Sequence, residues 1–154
     1  MLDFKDPWYT QSYPKAFFGG PQLPISIIDD HIAAMRPGEF ISAADPPERV
    51  ELMIAVGQHG RWSSLIGTDR TLFPFEMIKT AKSYPPLFIY HGRDDSAVPV
   101  EGTPKFVEAF KQIFPENKVL MKIEPGNHGF DSSAELSDPW LKEGLEFVAA
   151  EWLK

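Results

Sequence analysis

The sequence predicts an α/β fold with a strand–helix–strand–helix unit in its C-terminal half. Three observations predict it. A continuous apolar run, Leu87-Phe88-Ile89-Tyr90, leads into His91-Gly92. A second short run, Val119 to Glu124, alternates apolar and polar residues. Each run is followed by a stretch whose apolar residues recur every three or four positions. Strands separated by helices in this way pair in parallel, with right-handed crossovers.

Composition sets the outer limits. The chain has 154 residues, a length that suits one domain. Lys and Arg total 15 and Asp and Glu total 22, a net charge of -7. That balance argues against nucleic acid as a partner, because such affinity comes largely from cations on phosphates. There is no cysteine, so neither a disulfide framework nor a thiolate metal site is available. No run approaches the roughly 20 apolar residues that span a bilayer. The opening MLDFKDPWYT lacks the apolar core of a secretory signal. The expectation is a soluble, cytoplasmic protein with no membrane partner.

Residues 1–44 read as loop-rich and irregular. Pro7, Pro14, Pro21, Pro24 and Pro37 punctuate them, with Pro46 and Pro47 just beyond. Each proline fixes φ and disfavours helix at the residue before it. Trp8, Tyr9, Tyr13, Phe17 and Phe18 mark the stretch as ordered, since disordered segments are poor in aromatics. Residues 45–84 read as helical. Asp45-Pro46 has the form of a cap followed by proline at the first helical position. Val50, Met53 and Ile54 continue one face, and Gly60 closes it. RWSSLIG (61–67) and FPFEMIKTAK (73–82) supply two further short helices.

The period changes after Pro85-Pro86. Residues 87–92 have the unbroken apolarity of a strand buried on both faces. Thr103-Pro104 caps a helix bearing Phe106, Val107, Phe110, Ile113 and Phe114, which Pro115 ends. In the next strand Val119, Met121 and Ile123 alternate with Lys122 and Glu124. Asp138-Pro139 opens the last helix, with an expected face of Leu141, Leu145, Val148, Ala149 and Trp152. Residues 85–154 thus form the strand–helix–strand–helix part.

Ligands of open parallel sheets bind beyond the carboxyl ends of the strands. Two segments lie there: His91-Gly92-Arg93-Asp94-Asp95-Ser96-Ala97-Val98-Pro99, and Pro125-Gly126-Asn127-His128-Gly129-Phe130. One offers carboxylates and the other an imidazole. A carboxylate on a histidine Nδ1–H fixes the tautomer that makes Nε2 a general base.

His-Gly-x-x-Asp-x-x-Val-Pro followed by Gly-x-x-His-Gly-Phe resembles the C-terminal end of an α/β-hydrolase. The nearest flavour is the esterase and lipase branch with hormone-sensitive-lipase-like and dienelactone-hydrolase-like enzymes. The resemblance is specific over residues 85–154 and weaker over 1–84, where it implies a helical cap at 45–84. It places the triad acid on Asp95, with Asp94 as the lesser alternative, and the triad histidine on His128. It implies a partial α/β-hydrolase fold: cap segment, then the last two parallel strands and helices. The implied activity is that of a serine hydrolase on a small-molecule carboxylic ester, with no metal or organic cofactor.

The chain departs from that pattern in one large respect. It has no Gly-x-Ser-x-Gly pentapeptide, the elbow that carries the nucleophile. Ser63 and Ser64 come nearest, yet no glycine follows them at the right spacing and no strand precedes them. A glycine-rich oxyanion loop is also missing. Met1-Leu2-Asp3-Phe4 resembles the end of the strand that follows the elbow helix. The expectation is therefore a fragment that supplies Asp95 and His128 and is inactive alone. The alternative is a non-catalytic module or pseudo-hydrolase that forms a homodimer or docks a partner through an exposed sheet edge. His91 reads as structural, although a metal role with Asp94 and Asp95 stays open without supporting ligand spacing. His31 and His59 read as exposed or capping. Phe17, Phe18, Trp62, Phe73 and Phe75 either line an acyl pocket or simply pack.

Overall fold

The computed structural model describes residues 6–12, 20–38, 49–67 and 69–153. Phe17, Phe18, the Asp45-Pro46 cap and Met1–Phe4 lie outside the described residues. The chain divides after Asp69 into two compact units. Helices α1 (Pro7–Thr10), α2 (Ser26–Ala34), α3 (Val50–His59) and α4 (Trp62–Ile66) belong to the first. Helix α5 (Pro74–Thr80), strand β1 (Leu87–Gly92), helix α6 (Gly102–Ile113), strand β2 (Val119–Glu124) and helix α7 (Pro139–Trp152) belong to the second. Among the described residues no helix is long and apolar enough to cross a membrane.

In the first unit Ile28, Ala55 and Val56 form a buried core, with Leu52, Trp62 and Leu65 against it. The loop-rich reading of 1–44 missed two helices. Asp6 Oδ1 accepts the Trp8 N–H at 2.9 Å and Pro7 takes the first position of α1. Helix α2 runs between Pro24 and Pro37, which bracket it rather than exclude it. Gly60 ends α3 at φ 62°, as its sequence position predicts. Its N–H meets the Gly57 carbonyl at 3.3 Å, and the Arg61 N–H meets that of Val56 at 3.0 Å, a Schellman arrangement. A Cβ at residue 60 would also lie 2.5 Å from the Gln11 nitrogen. His59 is not a free surface group. Its Nε2 lies 2.8 Å from the Leu23 carbonyl and its Nδ1 3.1 Å from Ser12 Oγ. Beside it the buried Gln58 accepts from Leu23 N and donates to Pro21 O, each at 2.8 Å. Two adjacent side chains thereby hold the irregular stretch ahead of α2.

Among the described residues the second unit is a two-stranded parallel sheet with α6 on one face and α7 on the other. Leu87 pairs with Val119 and Gly92 with Glu124. Odd-numbered residues of β1 face α6: Leu87 and Ile89 pack with Phe106, Phe110 and Ile78 of α5. Even-numbered residues face α7, where the Tyr90 and Trp140 rings sit 5.1 Å apart. Strand β1 is half-buried rather than sealed on both faces, and Tyr90 is 41% exposed. A sheet of two strands has too little width for the helices to close over it.

Two helix details differ from expectation. Thr103 does not cap α6; Glu101 is at that position and Thr103 lies in the first turn, buried. Helix α7 packs through a face turned partly from the expected one: Leu141 and Val148 are half-buried, but Leu145, Ala149 and Trp152 are exposed and Gly144 is buried. Gly144 lies against the Phe88 ring, so closely that an added Cβ would overlap it. The closest approach of helix to strand is thus at the residue without a side chain, invisible to a search for apolar periodicity. The aromatics proposed for a pocket divide between the units: Trp62 packs on the first core and Phe75 on the second, and Phe73 is 1% exposed.

Candidate active site

The site is built from the two loops that leave the carboxyl ends of β1 and β2. Parallel pairing puts both exits at the same edge, and the backbone ties them together. Arg93 N–H donates to the Glu124 carbonyl at 2.7 Å, and Asp94 N–H to that of Gly126 at 3.0 Å. Gly92 is required at this crossing, because a Cβ there would lie 2.6 Å from the Gly126 oxygen.

Asp95 and His128 meet across the two loops, as sequence reasoning expected of them. His128 Nδ1 is 3.0 Å from Asp95 Oδ2 and 3.2 Å from Oδ1. The Asp95 side chain is 6% exposed and that of His128 42%. A carboxylate facing Nδ1 assigns the proton to that nitrogen and leaves the lone pair on Nε2. The backbone N–H groups of Ala97 and Val98 both donate to Asp95 Oδ1, at 2.8 Å. Burial pushes the Asp95 carboxyl up. The Val98 N–H, the His128 contact and the Ala97 N–H outweigh it and hold it below the ordinary aspartate value. Asp94 takes a different part: its Oδ2 accepts from Gly126 N–H at 3.3 Å.

Two further side chains join the site, of which only Asn127 went unassigned in the sequence. Asn127 Oδ1 accepts from Ser96 N–H at 2.8 Å, Ser96 Oγ at 2.9 Å and His128 N–H at 2.7 Å. One oxygen thereby joins the acid loop to the histidine loop. Three donors converging on it also identify it as oxygen rather than nitrogen. The other is His91, read as structural, whose Nε2 lies 3.1 Å from Asp95 Oδ2. The four-residue spacing across the turn was the available signal for that contact.

Beside the dyad is a cleft of about 230 Å³ lined by Tyr90, Asp95, His128, Phe130 and Asp131, among others. Tyr90 Oη donates to Asp131 Oδ2 at 3.2 Å. Burial first, then that bond and the aspartate charge, raise the tyrosine hydroxyl above its ordinary value. Tyr90, Phe130 and Trp140 form a continuous aromatic wall. Among the described residues no three His, Asp or Glu side chains are grouped to hold a metal ion. Ser63 and Ser64 lie in α4, which follows a helix and not a strand, and Ser64 Oγ accepts from Arg61 Nε at 2.9 Å.

The geometry of a buried acid on Nδ1 of a half-exposed histidine suits general-base catalysis. The chain is similar to the probable carboxylesterase M8 of Phoma sp. (strain ATCC 20986 / MF5453). The two are 30% identical over 134 residues, which is 86% of this chain and 42% of that protein. The chain therefore spans less than half the length of this relative. No family model matches the sequence, and no solved structure matches it significantly.

Proposed function

We propose that Asp95 and His128 are the acid and the general base of a serine hydrolase acting on carboxylic esters. The contact of His128 Nδ1 with a buried, fully hydrogen-bonded carboxylate carries this reading. Similarity to a carboxylesterase over 86% of the chain supports it. The nucleophile is a serine on polypeptide outside these 154 residues, since no Gly-x-Ser-x-Gly occurs within them. That hydroxyl attacks the ester carbonyl while His128 Nε2 takes its proton. His128 then returns the proton to the leaving alkoxide, and Asp95 holds the imidazolium. Water repeats the cycle on the acyl-enzyme. Backbone N–H groups of the completing polypeptide hold the oxyanion. The reading needs no metal or organic cofactor.

Fluorophosphonate labelling followed by peptide mass mapping tests it. The 154-residue chain takes up no label. A longer protein that contains it is labelled at one serine outside this sequence. There, Asp95→Asn lowers kcat on the order of 10⁴-fold by allowing the wrong tautomer. Stoichiometric label on Ser63 or Ser64 would overturn the account.

A further inference from the structure

We propose that His91 is a positioning residue for the Asp95 carboxylate, with its own tautomer set by Thr103. The inference rests on the Asp95–His128 reading above and extends it inward by two residues.

Thr103, His91, Asp95 and His128 form a continuous line of side-chain contacts. Thr103 Oγ1 is 2.6 Å from His91 Nδ1, and His91 Nε2 is 3.1 Å from Asp95 Oδ2. His91 Nε2 is also 3.1 Å from the Val98 carbonyl. Both neighbours of Nε2 are acceptors, so Nε2 carries a proton. In the neutral ring the other nitrogen, Nδ1, is then an acceptor, and the threonine hydroxyl donates to it.

Burial gives this arrangement its force. The side chains of His91 and Asp95 are 10% and 6% exposed, and Thr103 is 3% exposed. Water has little access to replace a lost donor, so removing one partner leaves a buried acceptor short. Each group comes from a different place: Thr103 from the first turn of α6, His91 from the end of β1, Asp95 from the following turn. The line therefore transmits the position of α6 to the carboxylate. Oδ1 is held by two backbone N–H groups, and Oδ2 lies between His91 Nε2 at 3.1 Å and His128 Nδ1 at 3.0 Å. With Oδ2 held, the carboxylate plane is fixed for His128.

Long-range ¹H–¹⁵N correlation of the imidazoles of the 154-residue chain tests this at neutral pH. Expected are His91 as the Nε2–H tautomer and a downfield Nδ1–H proton for His128. In His91→Leu that downfield proton is lost. In His91→Gln it is retained, because the glutamine amide restores a donor near the Nε2 position. Thr103→Val mixes the His91 tautomers and Thr103→Ser restores one. An Nδ1–H tautomer at His91 overturns the proposal, and so does a His128 proton unchanged in His91→Leu. A His91 Nε2–H tautomer without any downfield His128 proton in the unsubstituted chain tells against the triad reading and leaves the His91 contact standing. The tautomer of the unsubstituted chain needs no variant to fold.

Discussion

At the scale of single residues, Asp95 links the site to stability. Its carboxyl is held below 3.8, the ordinary aspartate value, in the folded chain. The folded state therefore binds the proton more weakly than the unfolded state. The stability this contributes is complete above the unfolded value and is lost as pH falls through the folded one. Urea unfolding from about pH 6 down to about pH 2.5 should show a steep acid limb. Asp95→Asn should be less stable at neutral pH and should show a flatter limb. Asn127 acts differently, because it is exposed. Asn127→Ala should cost only about 0.5–1.5 kcal/mol, since water can take over the three donors. It should nonetheless speed hydrogen exchange at the amides of Ser96 and His128, whereas Asn127→Asp should spare both.

At the scale of elements, the seat of α7 on β1 depends on Gly144. Alanine there gains about 1 kcal/mol in helix propensity. It also overlaps the Phe88 ring, and overpacking costs about 1–3 kcal/mol. Gly144→Ala should therefore be destabilising by about 1 kcal/mol in chemical denaturation, and in a Phe88→Leu background the loss should shrink. The same element shows where reading the sequence stopped short. The spacing of apolar residues gives helix α7, with Asp138-Pro139 at its start, but only part of its buried face: Leu141 and Val148 are half-buried. Leu145 and Trp152 are apolar and exposed, and Trp152 Nε1 donates to the Pro86 carbonyl at 3.1 Å. Lys122 of β2 and Lys118 just ahead of it instead reach Glu143 and Glu151 of the helix. Which side of a helix is buried follows from what lies beneath it, and β1 offered the Phe88 ring, which only a glycine could accept.

At the scale of the whole molecule, the sheet is narrow. Among the described residues β1 and β2 pair only with each other. Leu87 N–H and Arg93 N–H point at β2, so by alternation those of Phe88 and Tyr90 point outward. On β2 the carbonyls of Lys118 and Glu124 face β1, so Val119, Met121 and Ile123 present theirs to the far side. Two strands rarely hold as an independent sheet. In the 154-residue chain the amides of Phe88, Tyr90, Val119, Met121 and Ile123 should exchange faster than those of Leu87, Ile89 and His91. Equal protection of both sets would mean that an outer edge is paired in solution, as the homodimer alternative requires.

The sequence by itself determined the order of strands and helices in residues 85–154 and put Asp95 and His128 in the loops that leave the two strands. The placement rests on local information, the period of apolar residues and the short turns that end strands; the choice of Asp95 over Asp94 came from the resemblance of the motif. Gly60 and the prolines that open α5 and α7 belong with them, because backbone conformation at a glycine or proline is a property of that residue. Tertiary structure alone decided the partners of His91, Thr103, Asn127 and His59, and the buried face of α7. Several of those contacts join residues from 12 to 47 positions apart, or unite separate loops, and their energy comes from shared burial. Burial is set by every element at once, so no window of the chain contains it.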